Sequence, residues 1–182
     1  MSASLRSRLS FRAVNRKGTP GYDPTLQRHR LLPFQLLGRR CFARLFAAIG
    51  RDRVGFDDFR ANGMLLPARE EAVVRMALPL HRGPHRDYNR MVIERVGQVE
   101  AGWSRRAPRR PNAAAGEAIM RLQLIQRALR RRLLDPPGER LVLNGRDPLG
   151  TGFDFTELDA MVERLWSATQ PALSPSNADF AA

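Results

Sequence analysis

The chain has 182 residues, 43% hydrophobic and 27% charged, with a formal net charge of +13. That size and apolar content fit one compact domain with an appendage and exclude wholesale disorder, and no apolar run approaches the roughly 20 residues a bilayer span needs. The single cysteine, Cys41, excludes a disulfide framework and a cysteine-based zinc site, and points to a reducing compartment, read here as cytoplasmic.

Thirty of the 31 basic residues are arginine, and they are unevenly spread: residues 1–56 carry +10, 57–102 are neutral, 103–140 carry +7 and 141–182 carry −4. Two basic blocks attract polyanions, and the planar guanidinium can bond two phosphate oxygens at once, so nucleic acid leads over anionic lipid as a partner. A coding bias toward arginine gives the same composition without a ligand. Residues 1–25 read as a flexible basic arm without the apolar stretch of a secretory signal. Leu36 to Ile49 then predicts a helix, with Leu37, Cys41, Leu45 and Ile49 on a buried face and Gly50 just past its end. Residues 51–62 read as a polar loop and Gly63-Met64-Leu65-Leu66-Pro67 as a strand.

A short helix from Ala68 to Ala77 follows, and Gly83-Pro84 opens a longer one striped by Tyr88, Met91, Val92, Val96, Val99 and Trp103. Residues 103–112, with four arginines around Pro108 and Pro111, read as a linker. A helical extension over 113–170 comes next. Ala118, Leu122, Ile125, Leu129 and Leu133 stripe its first helix, with Arg127, Arg130, Arg131 and Arg132 on the exposed side and Asp135-Pro136-Pro137-Gly138 as the stop. Thr156 and Asp159 resemble a capping box for a last helix, and 171–182 reads as a loose tail.

The three histidines are His29, His81 and His85. His81 and His85 have H-x3-H spacing at the start of the long helix, which lets one ion take both imidazoles; His29, from a distant segment, would complete three protein ligands and leave a position open for water and substrate. The alternative is a pair of surface or capping histidines. His85 lies three residues before Tyr88, so its ring should face the core side, and a position at a positive helix end favours the neutral imidazole a metal needs.

Three ordered segments carry a resemblance: Gln27-Arg28-His29-Arg30-Leu31-Leu32-Pro33, Asn62-Gly63-Met64-Leu65-Leu66-Pro67, and Leu80-His81-Arg82-Gly83-Pro84-His85-Arg86-Asp87-Tyr88-Asn89. Together they resemble the AHH branch of the HNH/endonuclease VII nucleases over about residues 26–100. The resemblance implies an α+β fold, predominantly helical, in which a short β-hairpin and a helix form a ββα-metal centre within residues 26–102. It implies one divalent metal ion (Mg, Mn, Ni or Zn) held by His29, His81 and His85, with Asn62 holding the hairpin loop in shape. Asn62 read alone is a plain Asn-Gly turn residue.

The departure is Arg30, which stands where the family has its general-base histidine. A guanidinium stays protonated and cannot take a proton from water, a loss of about 100- to 10,000-fold. Three outcomes follow: a weak nuclease that relies on the metal to acidify water, a nuclease in which His29 becomes the base and two ligands remain, or a relative that binds without cutting. The implied reaction is phosphodiester hydrolysis.

Arg82, Arg86 and Arg90 are candidates for backbone phosphates, against a solvated face with Asp87 and Glu94 as local partners. No base-reading motif accompanies them, so double-stranded DNA, or RNA, would be held through phosphates with little sequence specificity. The C-terminal helices offer a substrate arm, a dimerisation surface or a site for an inhibitor or immunity protein. The family often forms the toxic tip of secreted toxins; without a delivery module, this chain reads instead as an intracellular nuclease. A rival reading, a basic surface for an acidic protein, leaves the three histidines unexplained.

Overall fold

A computed structural model of the chain describes residues 7–150. Two strands, β1 (Leu26–Arg30) and β2 (Gly63–Pro67), pair antiparallel with His29 opposite Met64 and Arg30 opposite Gly63. The helices are α1 (Arg40–Ile49), α2 (Phe59–Asn62), α3 (Glu70–Met76), α4 (Arg86–Arg106) and α5 (Pro111–Leu134). The fold is α+β with a β-hairpin, as expected, although its strands are joined not by a tight turn but by residues 31–62, which carry α1 and α2. β2 is apolar because most of it is buried on both faces.

The core lies between α1, α4, α5 and the end of β1. Val92, Val96, Val99 and Trp103 of α4 meet Leu122, Leu129 and Leu133 of α5 and Phe42, Leu45 and Ile49 of α1, with Leu31 and Leu32 closing the side next to the sheet. Each fully buried Leu or Val of this set contributes about 1.5–3 kcal/mol. The α4 stripe expected from sequence is buried apart from the half-buried Met91.

Several expectations need correction. α1 starts at Arg40, since Phe34–Leu36 forms a separate 3-10 turn and Arg39 is an extended N-cap. Its buried face is Phe42, Leu45, Phe46 and Ile49, and Cys41 is exposed. A four-residue step advances about 40° beyond a full turn, so the assumed four-residue stripe winds off the core face. α4 begins at Arg86, not at Pro84, because His85 is its non-helical N-cap.

Residues 103–112, expected as a linker, are largely helical: α4 runs through Arg106 and Pro111 opens α5, where its missing N–H costs nothing. The loop 51–62 hides Val54 and Phe56 and ends in α2, capped by Asp58 Oδ1 accepting from the Arg60 N–H at 3.0 Å.

The described part of the basic arm, residues 7–25, is tied to the sheet. Asn15 Nδ2 donates to the carbonyls of Asp23 and Leu26, Arg28 donates to Phe11 O, and Phe59 N–H donates to Leu9 O. Arg130, expected on an exposed face, is half-buried and donates to the carbonyls of Arg60, Ala61 and Gly63. The helix expected after Thr156 and the tail lie outside the described residues.

Candidate metal centre

Alternation along β1 decides where His29 goes. Arg28 and Arg30 both reach Phe11 on one face, and His29 turns to the other, where it is 4% exposed. Its ring meets Tyr88 of α4 edge-on at 5.0 Å, and the Tyr88 hydroxyl donates to Leu31 O at 2.8 Å, locking strand to helix. Burial pushes the Tyr88 phenol well above its usual range, so it remains a donor.

His81 is not helical. It sits in the extended segment before α4, fixed by its N–H donating to Pro67 O at 2.6 Å, which places it beside the end of β2. His85 follows as the N-cap of α4. Ring centroids are 4.5 Å apart for His81 and His85, 4.9 Å for His29 and His81 and 5.9 Å for His29 and His85. One nitrogen from each ring lies within 4.8 Å of the other two.

The hydrogen bonds choose which nitrogen is free. His85 Nδ1 lies 2.9 Å from Leu143 O, and a carbonyl only accepts, so Nδ1 carries the proton and Nε2 offers its lone pair. His81 Nδ1 stands in the same relation to Gln27 Oε1 at 3.3 Å. Among the described residues, His29 Nε2 is buried without a hydrogen-bond partner. Such an orphaned group costs about 1–3 kcal/mol unless something binds it.

Electrostatics agree. Burial first, then the neighbouring His81 and His85, pushes His29 down to about 3; burial and His85 push His81 down to about 4. Both imidazoles are therefore neutral at pH 7, the form a metal takes. Three inward imidazoles, one with an unanswered nitrogen, fit a divalent ion.

Asn62 is fully buried. Its Oδ1 accepts from Leu32 N–H at 2.7 Å, and its Nδ2 donates to Phe56 O at 3.0 Å and Leu32 O at 3.2 Å. The plain Asn-Gly turn does not form, since Gly63 is extended; its Cβ would fall 2.3 Å from the Phe59 ring, and that approach is what requires glycine.

Arg30 points away from the histidines. Its guanidinium lies 3.7 Å from the Phe11 ring centroid, donates to Phe56 O at 2.9 Å and pairs with Asp57 at 3.6 Å. Burial lowers its pKa, with Arg51 adding to this and Asp57 opposing it. Arg82, Arg86 and Arg90 are exposed beside the histidines; Arg90 pairs with Asp87 at 2.7 Å.

Sequence reasoning missed the clasp formed by residues 140–147. Arg140 and Asp147 are a fully buried ion pair at 3.0 Å, and Asp147 also accepts from Leu80 N–H at 3.0 Å. Arg140 donates to Ala77 O, and Asn144 donates to Arg82 O. These ties hold the segment that carries His81 and His85, and they deliver Leu143 O to His85. No period or motif marks this polar stretch, so the sequence offers no signal for it.

The chain matches, over residues 10–129, the family model of AHH, described as a nuclease family of the HNH/ENDO VII superfamily with conserved AHH. Neither the curated proteins nor the solved structures give a match. With an antiparallel strand pair and α4 converging on three histidines inside that span, the chain belongs to the AHH nuclease family of the HNH/ENDO VII superfamily.

Proposed function

We propose that this nuclease is a metal-dependent, largely sequence-non-specific endonuclease that hydrolyses phosphodiester bonds of double-stranded DNA. The observation that carries the reading is the convergence of His29, His81 and His85, with His29 Nε2 buried and unpartnered. His29, His81 and His85 hold the ion, whether Mg, Mn, Ni or Zn. A divalent ion bound there supplies Lewis acidity toward the phosphate and lowers the pKa of water.

The chain's own residues do the rest. Leu143 O and Gln27 orient two of the imidazoles, and Asn62 holds the end of β1 against α2. Arg82, Arg86 and Arg90 stand beside the histidines as phosphate contacts, Arg82 and Arg86 readier than Arg90, which is engaged by Asp87. Contacts of this kind position a strand without reading its bases.

Arg30 stands in the general-base position and cannot accept a proton. Held by Phe56 O and Asp57 on the face of β1 away from the histidines, it supplies no base to them, so turnover is slow compared with a histidine-bearing relative; Arg30→His gives up both contacts and frees the side chain to face the centre. That same residue favours a second reading, a relative that binds nucleic acid or a protein partner without cutting.

The test is incubation of the purified chain with supercoiled plasmid and with single-stranded RNA across the four ions, beside His85→Ala and Arg30→His. Cleavage abolished in His85→Ala and raised about 100-fold or more in Arg30→His supports the nuclease. No cleavage by the native chain, with activity gained in Arg30→His, establishes the second reading.

A further inference from the structure

Away from the histidines, an open groove of about 550 Å³ runs between α5 and residues 52–61. Arg53, Arg60, Arg127 and Arg130 line it. Its two carboxylates are engaged: Asp52 pairs with Arg8 at 3.1 Å, and Asp58 Oδ1 accepts from Leu9 N–H and Arg60 N–H. Among the described residues, Arg53 and Arg127 have no carboxylate partner within 4 Å.

The lining carries more cation than anion: Arg8, Arg53, Arg60, Arg127 and Arg130 against Asp52 and Asp58, although Arg60, Arg127 and Arg130 also donate to protein carbonyls. Guanidinium groups in excess over carboxylates repel one another. That cost is relieved by a ligand that offers acceptor oxygens and carries negative charge. A phosphodiester has that chemistry, and an open groove suits a continuous strand.

The groove also adjoins the hairpin. Arg130 bonds Gly63 O, and Gly63 is the register partner of Arg30, whose guanidinium bonds Phe56 O. We propose that this groove binds the phosphodiester backbone of a nucleic-acid strand, with Arg53 and Arg127 on phosphate oxygens. The identity of the strand as substrate rests on the nuclease reading; the binding does not.

The test uses the full chain in EDTA, where cleavage plays no part, with anisotropy of a short labelled DNA duplex followed across a salt series. Arg53→Ala/Arg127→Ala removes two phosphate contacts and should lower the slope of log affinity against log salt by about 1.8, with affinity down about 10-fold. Arg105→Ala/Arg109→Ala, two exposed arginines at the α4–α5 turn, is the charge-matched control and should keep the native slope.

An unchanged slope in the groove variant, or an equal loss in the control, overturns the proposal. Loss confined to the groove variant upholds it even if no ion supports cleavage, an outcome in which only the nuclease reading fails.

Discussion

Asp147→Asn tests whether residues 140–147 hold the histidine segment. The substitution is nearly isosteric but removes the counter-charge of Arg140, and both side chains are fully buried. Removing one partner of a buried pair costs about 3–5 kcal/mol, because the remaining charge is stranded in a low-dielectric surrounding. At about 2–4 °C per kcal/mol for a chain of this size, Tm should fall by about 6–20 °C. The carbonyl of Leu143 moves with this segment, so His85 loses its orienting acceptor and metal affinity should fall about 10- to 100-fold.

Urea unfolding gives the stability, and competition with a chelating dye for Zn²⁺, at a temperature where circular dichroism shows the variant folded, gives the affinity. Arg140→Leu/Asp147→Leu removes both charges and leaves mainly the Leu80 N–H and Ala77 O unpaired, a cost of about 1–3 kcal/mol per group. Two such groups cost about 2–6 kcal/mol, so the double variant should lose about as much as the single one rather than the sum of two buried charges. An Asp147→Asn protein within 1 kcal/mol of the native chain would refute the argument.

Three further outcomes are expected. Unfolded imidazoles take up protons near pH 6.5 while folded His29, held down to about 3, and His81, held down to about 4, do not, so metal-free stability is full above about pH 6.5 and falls by about 2.7 kcal/mol per pH unit below it, easing to about 1.4 below about pH 4 and levelling near pH 3. Urea titrations in EDTA check this: His29→Gln should about halve the slope, and a native profile flat between pH 7 and pH 5 contradicts it. Asn62→Ala strands Leu32 N–H and Leu32 O, while Phe56 O keeps the Arg30 guanidinium, and should cost about 2–4 kcal/mol by chemical denaturation, whereas a loss under 1 kcal/mol means that water replaces the amide. Gly63→Ala drives a methyl into the Phe59 ring and should cost about 1–3 kcal/mol, largely recovered by Phe59→Ala in the same chain; no recovery would place the cause elsewhere.

Local features were legible in the sequence because local geometry repeats. The 3.6-residue period placed Val92, Val96, Val99 and Trp103 on one side of α4 and Leu122, Leu129 and Leu133 on one side of α5. Residue chemistry in motif order singled out the three histidines, and the structure brings them together. Where the period was misjudged, at Cys41, the error was one of phase: a four-residue step drifts around the helix.

What lay beyond reach depends on which distant segments meet. Arg130 looks solvated in sequence and turns inward because three carbonyls around α2 need a donor. Arg140 and Asp147 read as loop charges, yet they are buried because each finds the other and the backbone of residues 77–80. Gln126 sits on the buried face of α5 and ends at the edge of an arginine-lined groove. The sequence by itself determined the helix faces, the strand and the identity of the histidines, since backbone periodicity and side-chain chemistry are local. Only the tertiary structure decided which charges are paired, which imidazole nitrogens face inward and which donors lack acceptors, because pairing across 50 or more residues leaves no periodic trace in the chain.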